Sequence, residues 1–171
     1  KINKLPATVN GYAVNWKSSS NQIDVATGEV FHDETSKAVT LTAEIYNAKD
    51  VLPVVVRKEF NVTVRAANSD SELGQYYINS LGKITNQSYD DIRYDLTLPV
   101  AEDVQWTSSN TAIIGNDGML VDSAVITEAT PVKITATSKG VTKDYNLTVS
   151  PRTAVESLAN GSLPLAIKLG D

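Results

Sequence analysis

The sequence predicts an all-β chain of two tandem β-sandwiches joined by a short helix-containing linker, and three observations predict it. One stretch occurs twice: Val14-Asn15-Trp16-Lys17-Ser18-Ser19-Ser20 is matched by Val104-Gln105-Trp106-Thr107-Ser108-Ser109-Asn110, and each tryptophan is followed twelve residues on by a glycine, Gly28 or Gly118. Around both copies, short runs alternate apolar and polar residues, the period of a strand that buries one face. Between them, one stretch changes to the four-residue spacing of a helix. The division that follows is a first sandwich over 1–66, a helical linker over 67–90, a second sandwich over 91–150, and a tail or lead-in to a following module over 151–171.

In the first repeat, Val14 and Trp16 share a face against Asn15 and Lys17, and Val39, Leu41, Ala43 and Ile45 share one against Thr40, Thr42 and Glu44. Phe60, Val62 and Val64 likewise oppose Asn61 and Thr63. Ser18 to Asn21 and Ala26-Thr27-Gly28 carry turn chemistry, the glycine marking a position of positive φ. The linker opens on Ser69-Asp70-Ser71-Glu72, the spacing of a capping box, and continues with Leu73, Tyr77 and Leu81 before Gly82. This predicts a helix near 70–81 that ends in a left-handed cap, packs its stripe on a sandwich and stiffens the joint. Gly74 weakens that helix by ~1 kcal/mol relative to alanine.

The second repeat offers Leu96, Leu98, Val104 and Trp106, then Val132 to Ser138, a tight hairpin at Lys139-Gly140, and the run from Tyr145 to Val149. The corresponding hairpin of the first repeat is longer and carries Val51-Leu52-Pro53-Val54-Val55, an apolar run expected to fold back over a small core, the alternative being a contact patch for a neighbouring domain. Beyond Ser150-Pro151, Thr153 to Glu156 has capping-box spacing and Asn160-Gly161 has turn chemistry.

Composition narrows the function classes. The chain has 171 residues, no cysteine, and a net charge of −5 from 15 basic and 20 acidic side chains. A clustered basic face for nucleic acid is not expected from that balance. Residues 1–66 carry eight basic and seven acidic groups, residues 91–150 four and eight, an asymmetry read as two solvated surfaces. Without disulfides, units of this size bury only ~60% of their unfolded surface and have little core to spare. No apolar run is long enough to span a membrane, and the start at Lys1 without a leader reads as a piece of something longer.

No residue set asks for chemistry. Trp16 suits a core better than a sugar platform, because it lies on the apolar phase of its strand. His32, the only histidine, stands beside Asp33 and Glu34 without the spaced ligands that zinc or calcium needs, so a solvated loop is preferred. Asp90, Asp91, Asp95, Glu102 and Asp103 match no calcium loop and read as an acidic face. Asn116-Asp117-Gly118 is a turn. The sequons at Asn61, Asn86, Asn146 and Asn160 are of the kind chance supplies. No catalytic, cofactor-binding or metal-ligating residue is therefore expected, and no cofactor.

The order Leu-Pro, Val-x-Trp-x-Ser-Ser-Ser/Asn, glycine, Val-x-Leu/Ile-Thr-Ala, then aromatic-x-Val/Leu-Thr-Val resembles the atrophied bacterial immunoglobulin-like domains. Leu98, Pro99, Trp106, Ser108, Ser109, Asn110, Gly118, Thr135, Ala136, Tyr145, Thr148 and Val149 carry it, with their counterparts in the first repeat. Ser20 departs from the family's asparagine, and no helical run-in precedes Leu5, which suggests trimming. The resemblance implies tandem immunoglobulin-like sandwiches: non-catalytic accessory or spacer modules of secreted or cell-surface bacterial proteins, often beside carbohydrate-active domains. The implied partners are adjacent domains of the same longer chain. The alternative is a binding module or adhesin for a glycan or for a cell-wall or host protein; the scattered tyrosines disfavour a glycan platform. An enzyme is the weakest option, since no serine–histidine or paired-carboxylate arrangement is supported.

Overall fold

The computed structural model describes residues 5–46, 56–121 and 126–151. The described residues are mostly β, with two antiparallel sheets of four and three strands and one short helix. It divides into two compact units, Lys1–Ser80 and Leu81–Asp171.

In the first unit, β1 (Thr8–Val9), β2 (Tyr12–Ser18), β3 (Lys37–Tyr46) and β4 (Val56–Val64) lie side by side in that order. Asn10 and Gly11, at φ 49° and 82°, make the two-residue turn between β1 and β2. An Asn-Gly pair between strands is a strong hairpin signal because both positions need positive φ. Trp16 pairs with Ala43, and Leu41 pairs with both Ser18 and Phe60. Cross-strand partners share a face, so this register collects Trp16, Val39, Leu41, Ala43, Phe60, Val62 and Val64 on one side, as the alternation predicts. On the other side Glu44 holds Lys17 at 2.8 Å and Arg57 at 3.1 Å, and Thr40 donates to Asn61.

Ile23, Val39, Leu41 and Val64 form the core cluster, with Trp16, Val25 and Val30 packed against it. An isolated bridge between Ile23 and Val30, closed by Gly28 at φ 72°, lays the intervening loop over the sheet. The apolar 51–55 run falls outside the described residues.

Helix α1 (Asp70–Ser80) belongs to this unit. Ser69 Oγ accepts from the Glu72 amide at 3.3 Å, as the capping spacing predicts. The return bond shifts by one residue: the Glu72 carboxylate accepts from the Asn68 amide at 3.1 Å and pairs with Arg65 at 2.7 Å. The buried stripe shifts by one within the helix, whereas Leu81, just beyond it, is buried as expected. Gly74 and Ile78 are the buried helical positions, while Leu73 and Tyr77 are half-buried, Tyr77 donating to Glu34 at 2.8 Å. Gly74 therefore sits on the buried face of the helix. Gly82 does not adopt positive φ, so the expected left-handed cap does not form. Ser80 Oγ instead donates to the Tyr76 carbonyl and accepts from Asn21.

In the second unit, β5 (Gln105–Ser108), β6 (Thr130–Ser138) and β7 (Val141–Val149) form the three-stranded sheet. Lys139 and Gly140, at φ 46° and 79°, make the tight hairpin. Trp106 pairs with Ala136, and Ile134 pairs with Ser108 and Tyr145, so each position matches one in the first unit. The bridge Ile114 to Leu120, with Gly118 at φ 85°, repeats Ile23 to Val30. A Cβ at Gly118 would stand 2.8 Å from Leu98 Cγ, so this turn requires glycine for space as well as for φ.

A further layer covers this second sheet. The stretch preceding Leu98 runs beside β7 through a parallel bridge between Ile92 and Val149. Thr148 N donates to Tyr89 O at 2.8 Å, Ile92 N to Thr148 O at 2.9 Å, and Ser150 N to Ile92 O at 3.0 Å. Gln87 fastens the stretch by accepting from the amides of Arg93 and Tyr94. Ile84 and Ile92 are fully buried and Leu96 nearly so.

Candidate functional site

The groups weighed from the sequence do not converge. His32 Nδ1 lies 3.0 Å from the Arg65 carbonyl, Asp33 takes Lys37 and the Glu34 amide, and Glu34 takes Tyr77. Asp91 holds Arg93 and Ser150, Asp95 accepts from the Leu120 amide at 2.8 Å, and Asp103 holds Lys139 at 2.9 Å. Asn116 Oδ1 accepts from Ser108 N, and Asp117 from Met119 N, which spends both on the turn. Among the described residues no three histidine or acidic side chains gather as metal ligands. Asn61, Asn86 and Asn146 are exposed, and Asn160 lies outside the described residues.

Both tryptophans are half-buried rather than fully enclosed, and they are fixed in the same way. Trp16 Nε1 donates to the Pro6 carbonyl at 2.9 Å, and Trp106 Nε1 to the Pro99 carbonyl at 3.1 Å. Each ring lies 5.8 Å from an aromatic ring on the last strand of its sheet, Phe60 or Tyr145. The Leu-Pro pairs that mark the repeat are thus tethers for the indole. Their recurrence before each tryptophan was the available signal, although the sequence did not say what the proline carbonyls accept.

The feature that the sequence did not reveal is the edge of the first sheet. No strand of the described residues pairs on the outer side of β4. Phe60 and Val62, on its core-facing side, are 44% and 37% exposed, whereas their counterparts Tyr145 and Leu147 are 6% and 3% exposed. Beside them opens a pocket of about 200 Å³, with Ile23, Leu41, Val62 and Val64 as its apolar lining and Thr63 and Arg65 at its rim.

Arg65 also joins this rim to the helix cap. Its guanidinium meets both oxygens of Glu72, at 2.8 and 2.7 Å, and with the Asn68 amide holds that carboxyl down to about 2. A depressed carboxylate stabilises the fold above its ordinary value of 4.5, and the contribution disappears as pH falls through about 2. Melting curves of the parent and of Glu72→Gln should therefore differ above pH 4.5 and converge toward pH 2. Curves that stay parallel over that window would show that the pair contributes nothing to folding.

No family model matches the chain, and no curated protein is similar to it. What fold and geometry define is a mostly β protein whose two units repeat one local plan, with a sheet edge on the first that no strand of the described residues pairs.

Proposed function

We propose that the chain is a non-catalytic spacer module, two immunoglobulin-like sandwiches in tandem, within a secreted or cell-surface bacterial protein that has carbohydrate-active neighbours. The observation that carries this reading is the matched plan of the two units. Tryptophan-to-proline tether, tryptophan–alanine register, left-handed glycine and isoleucine bridge recur at corresponding positions. Duplication of a unit, with its polar groups spent on turns and strand pairs, suits a part that sets spacing.

The placement of exposed aromatics also favours a spacer over a glycan binder. Tyr12 and Phe60 lie on strands separated by β3, and Tyr94 belongs to the other unit. Stacking on a sugar needs neighbouring rings on one platform. Affinity electrophoresis of the chain in gels containing cell-wall and plant polysaccharides is expected to show unchanged mobility. Retardation that Phe60→Ala or Tyr94→Ala abolishes would replace the spacer with a glycan-binding module.

A further inference from the structure

Two of the four Asn-x-Ser/Thr sequons fall at the same place in the two units. Asn61 pairs with Thr40, three residues before the Ala43 that faces Trp16, and Asn146 pairs with Lys133, three before the Ala136 that faces Trp106. Each is preceded two residues earlier by a carboxylate and followed two later by a threonine: Glu59-Phe60-Asn61-Val62-Thr63 and Asp144-Tyr145-Asn146-Leu147-Thr148. Asn86 and Asn160 lack the acid, with Ile84 and Leu158 in its place. Strand alternation puts acid, amide and hydroxyl in one row on the face away from the core, and both asparagines are exposed. Alternation asks only that such a row be polar. The neighbouring outward rows, Thr40-Thr42-Glu44 and Lys133-Thr135-Thr137, differ between the units at two of three positions, whereas acid, asparagine and threonine recur.

We propose that Asn61 and Asn146 are matched acceptor sites for an N-linked glycan, one on the outward face of each sheet. A transferase that grips the carboxylate with a basic side chain and the threonine hydroxyl with a polar pocket holds the asparagine between them. The donor is an oligosaccharide on polyprenyl diphosphate. Asparagine Nδ2 attacks C1 of its first sugar, the C1–N bond forms as the bond from C1 to the phosphate oxygen breaks, lipid diphosphate leaves, and the amide proton passes to water. Transfer precedes strand pairing. In the folded second unit Asp144 is bound to Thr135 Oγ1 at 2.7 Å and to Lys133 Nζ at 3.0 Å, and the Thr148 amide donates to Tyr89 O. In the folded first unit Thr40 donates to Asn61 Oδ1, so Nδ2 points the other way and a sugar there meets no core residue. A bulky, solubilising group on an exposed strand face leaves the packed side untouched.

This inference rests on the secreted reading, and the test separates the two by forcing export with an added signal peptide. The full chain is exported from cells that supply an acid-requiring oligosaccharyltransferase and its polyprenyl-diphosphate oligosaccharide, and its peptides are mapped by mass. Glycan is expected at Asn61 and Asn146 and not at Asn86 or Asn160. Glu59→Gln should remove it from Asn61 alone, and Asp144→Asn from Asn146 alone. The glycosylated chain should melt within about 2 °C of the bare one, since both side chains face solvent. Bare Asn61 and Asn146, in cells that modify a control acceptor peptide, would overturn the sites and leave the secreted reading standing. Modification that survives both carboxylate replacements, or that is equal at Asn86 and Asn160, would overturn the acid's part in selection. Folded chain offered to the purified transferase should stay bare at Asn146; equal modification there would overturn transfer before pairing.

Discussion

Ile92→Ala is expected to destabilise the second unit by about 2–5 kcal/mol, the range for removing most of a buried isoleucine from a packed core. Ile92 has no exposed surface, and its neighbour across the parallel bridge, Val149, has none either. The truncation takes the side chain from between β7 and its covering stretch and leaves a cavity that the stretch cannot close without giving up its bonds to Thr148 and Ser150. At roughly 0.05–0.15 kcal/mol per residue, a unit of this size has few kcal/mol in all, so the loss is a large share of its stability. Val62→Ala on the first unit is the natural contrast. That side chain is already 37% exposed, and the expected cost is about 1 kcal/mol or less. Denaturant unfolding followed by amide exchange at Thr148 and Ser150 would measure the first effect directly. An Ile92→Ala cost no larger than that of Val62→Ala would mean that the stretch before Leu98 is a surface loop and no part of the core.

The strands were legible because a period of two leaves a plain trace, and the register places each alternating set on the face expected for it. The hairpin at Lys139-Gly140 was legible for the same kind of reason, since its chemistry is local. The Asn10-Gly11 turn carried an equally strong signal that the sequence reading passed over. The helix was found and Leu81 after it is buried as expected, but within the helix the buried positions moved by one residue, because the face a helix buries is set by what it packs on and Gly74 gave no apolar signal. The covering stretch was missed for a deeper reason. Ile84 and Ile92 stand among polar and acidic residues with neither helical nor strand spacing, so Asp90 and Asp91 beside Ile92 read as part of a solvated acidic face. Burial there depends on a neighbour distant in sequence, β7, which local pattern cannot register. The exposure at β4 was hidden likewise: Phe60 and Val62 sit on the correct phase of a strand, yet they stay exposed, with no strand among the described residues paired beyond β4.

Trp16→Ala is expected to cost the first unit about 3 kcal/mol, the lower end of the range for large aromatic truncations, because the ring is half-buried. Its body packs on the cluster of Ile23, Val39, Leu41 and Val64 and lies beside Phe60, so removal opens that small core on the side where it is already thin. Trp16→Phe separates packing from tethering. It retains an aromatic ring but deprives the Pro6 carbonyl of its donor, which should cost about 1 kcal/mol. The same two substitutions at Trp106 should fall in the same order, with Pro99 losing its partner. Each unit holds one of the chain's two tryptophans, so the fluorescence of the remaining indole reports the unsubstituted unit while circular dichroism follows both. A Trp16→Ala protein within ~0.5 kcal/mol of the parent would refute the packing role and return Trp16 to consideration as a surface platform. A Trp16→Phe cost equal to that of Trp16→Ala would instead assign most of the effect to the bond with Pro6, making the indole chiefly a clasp that holds the Leu5-Pro6 approach against β2.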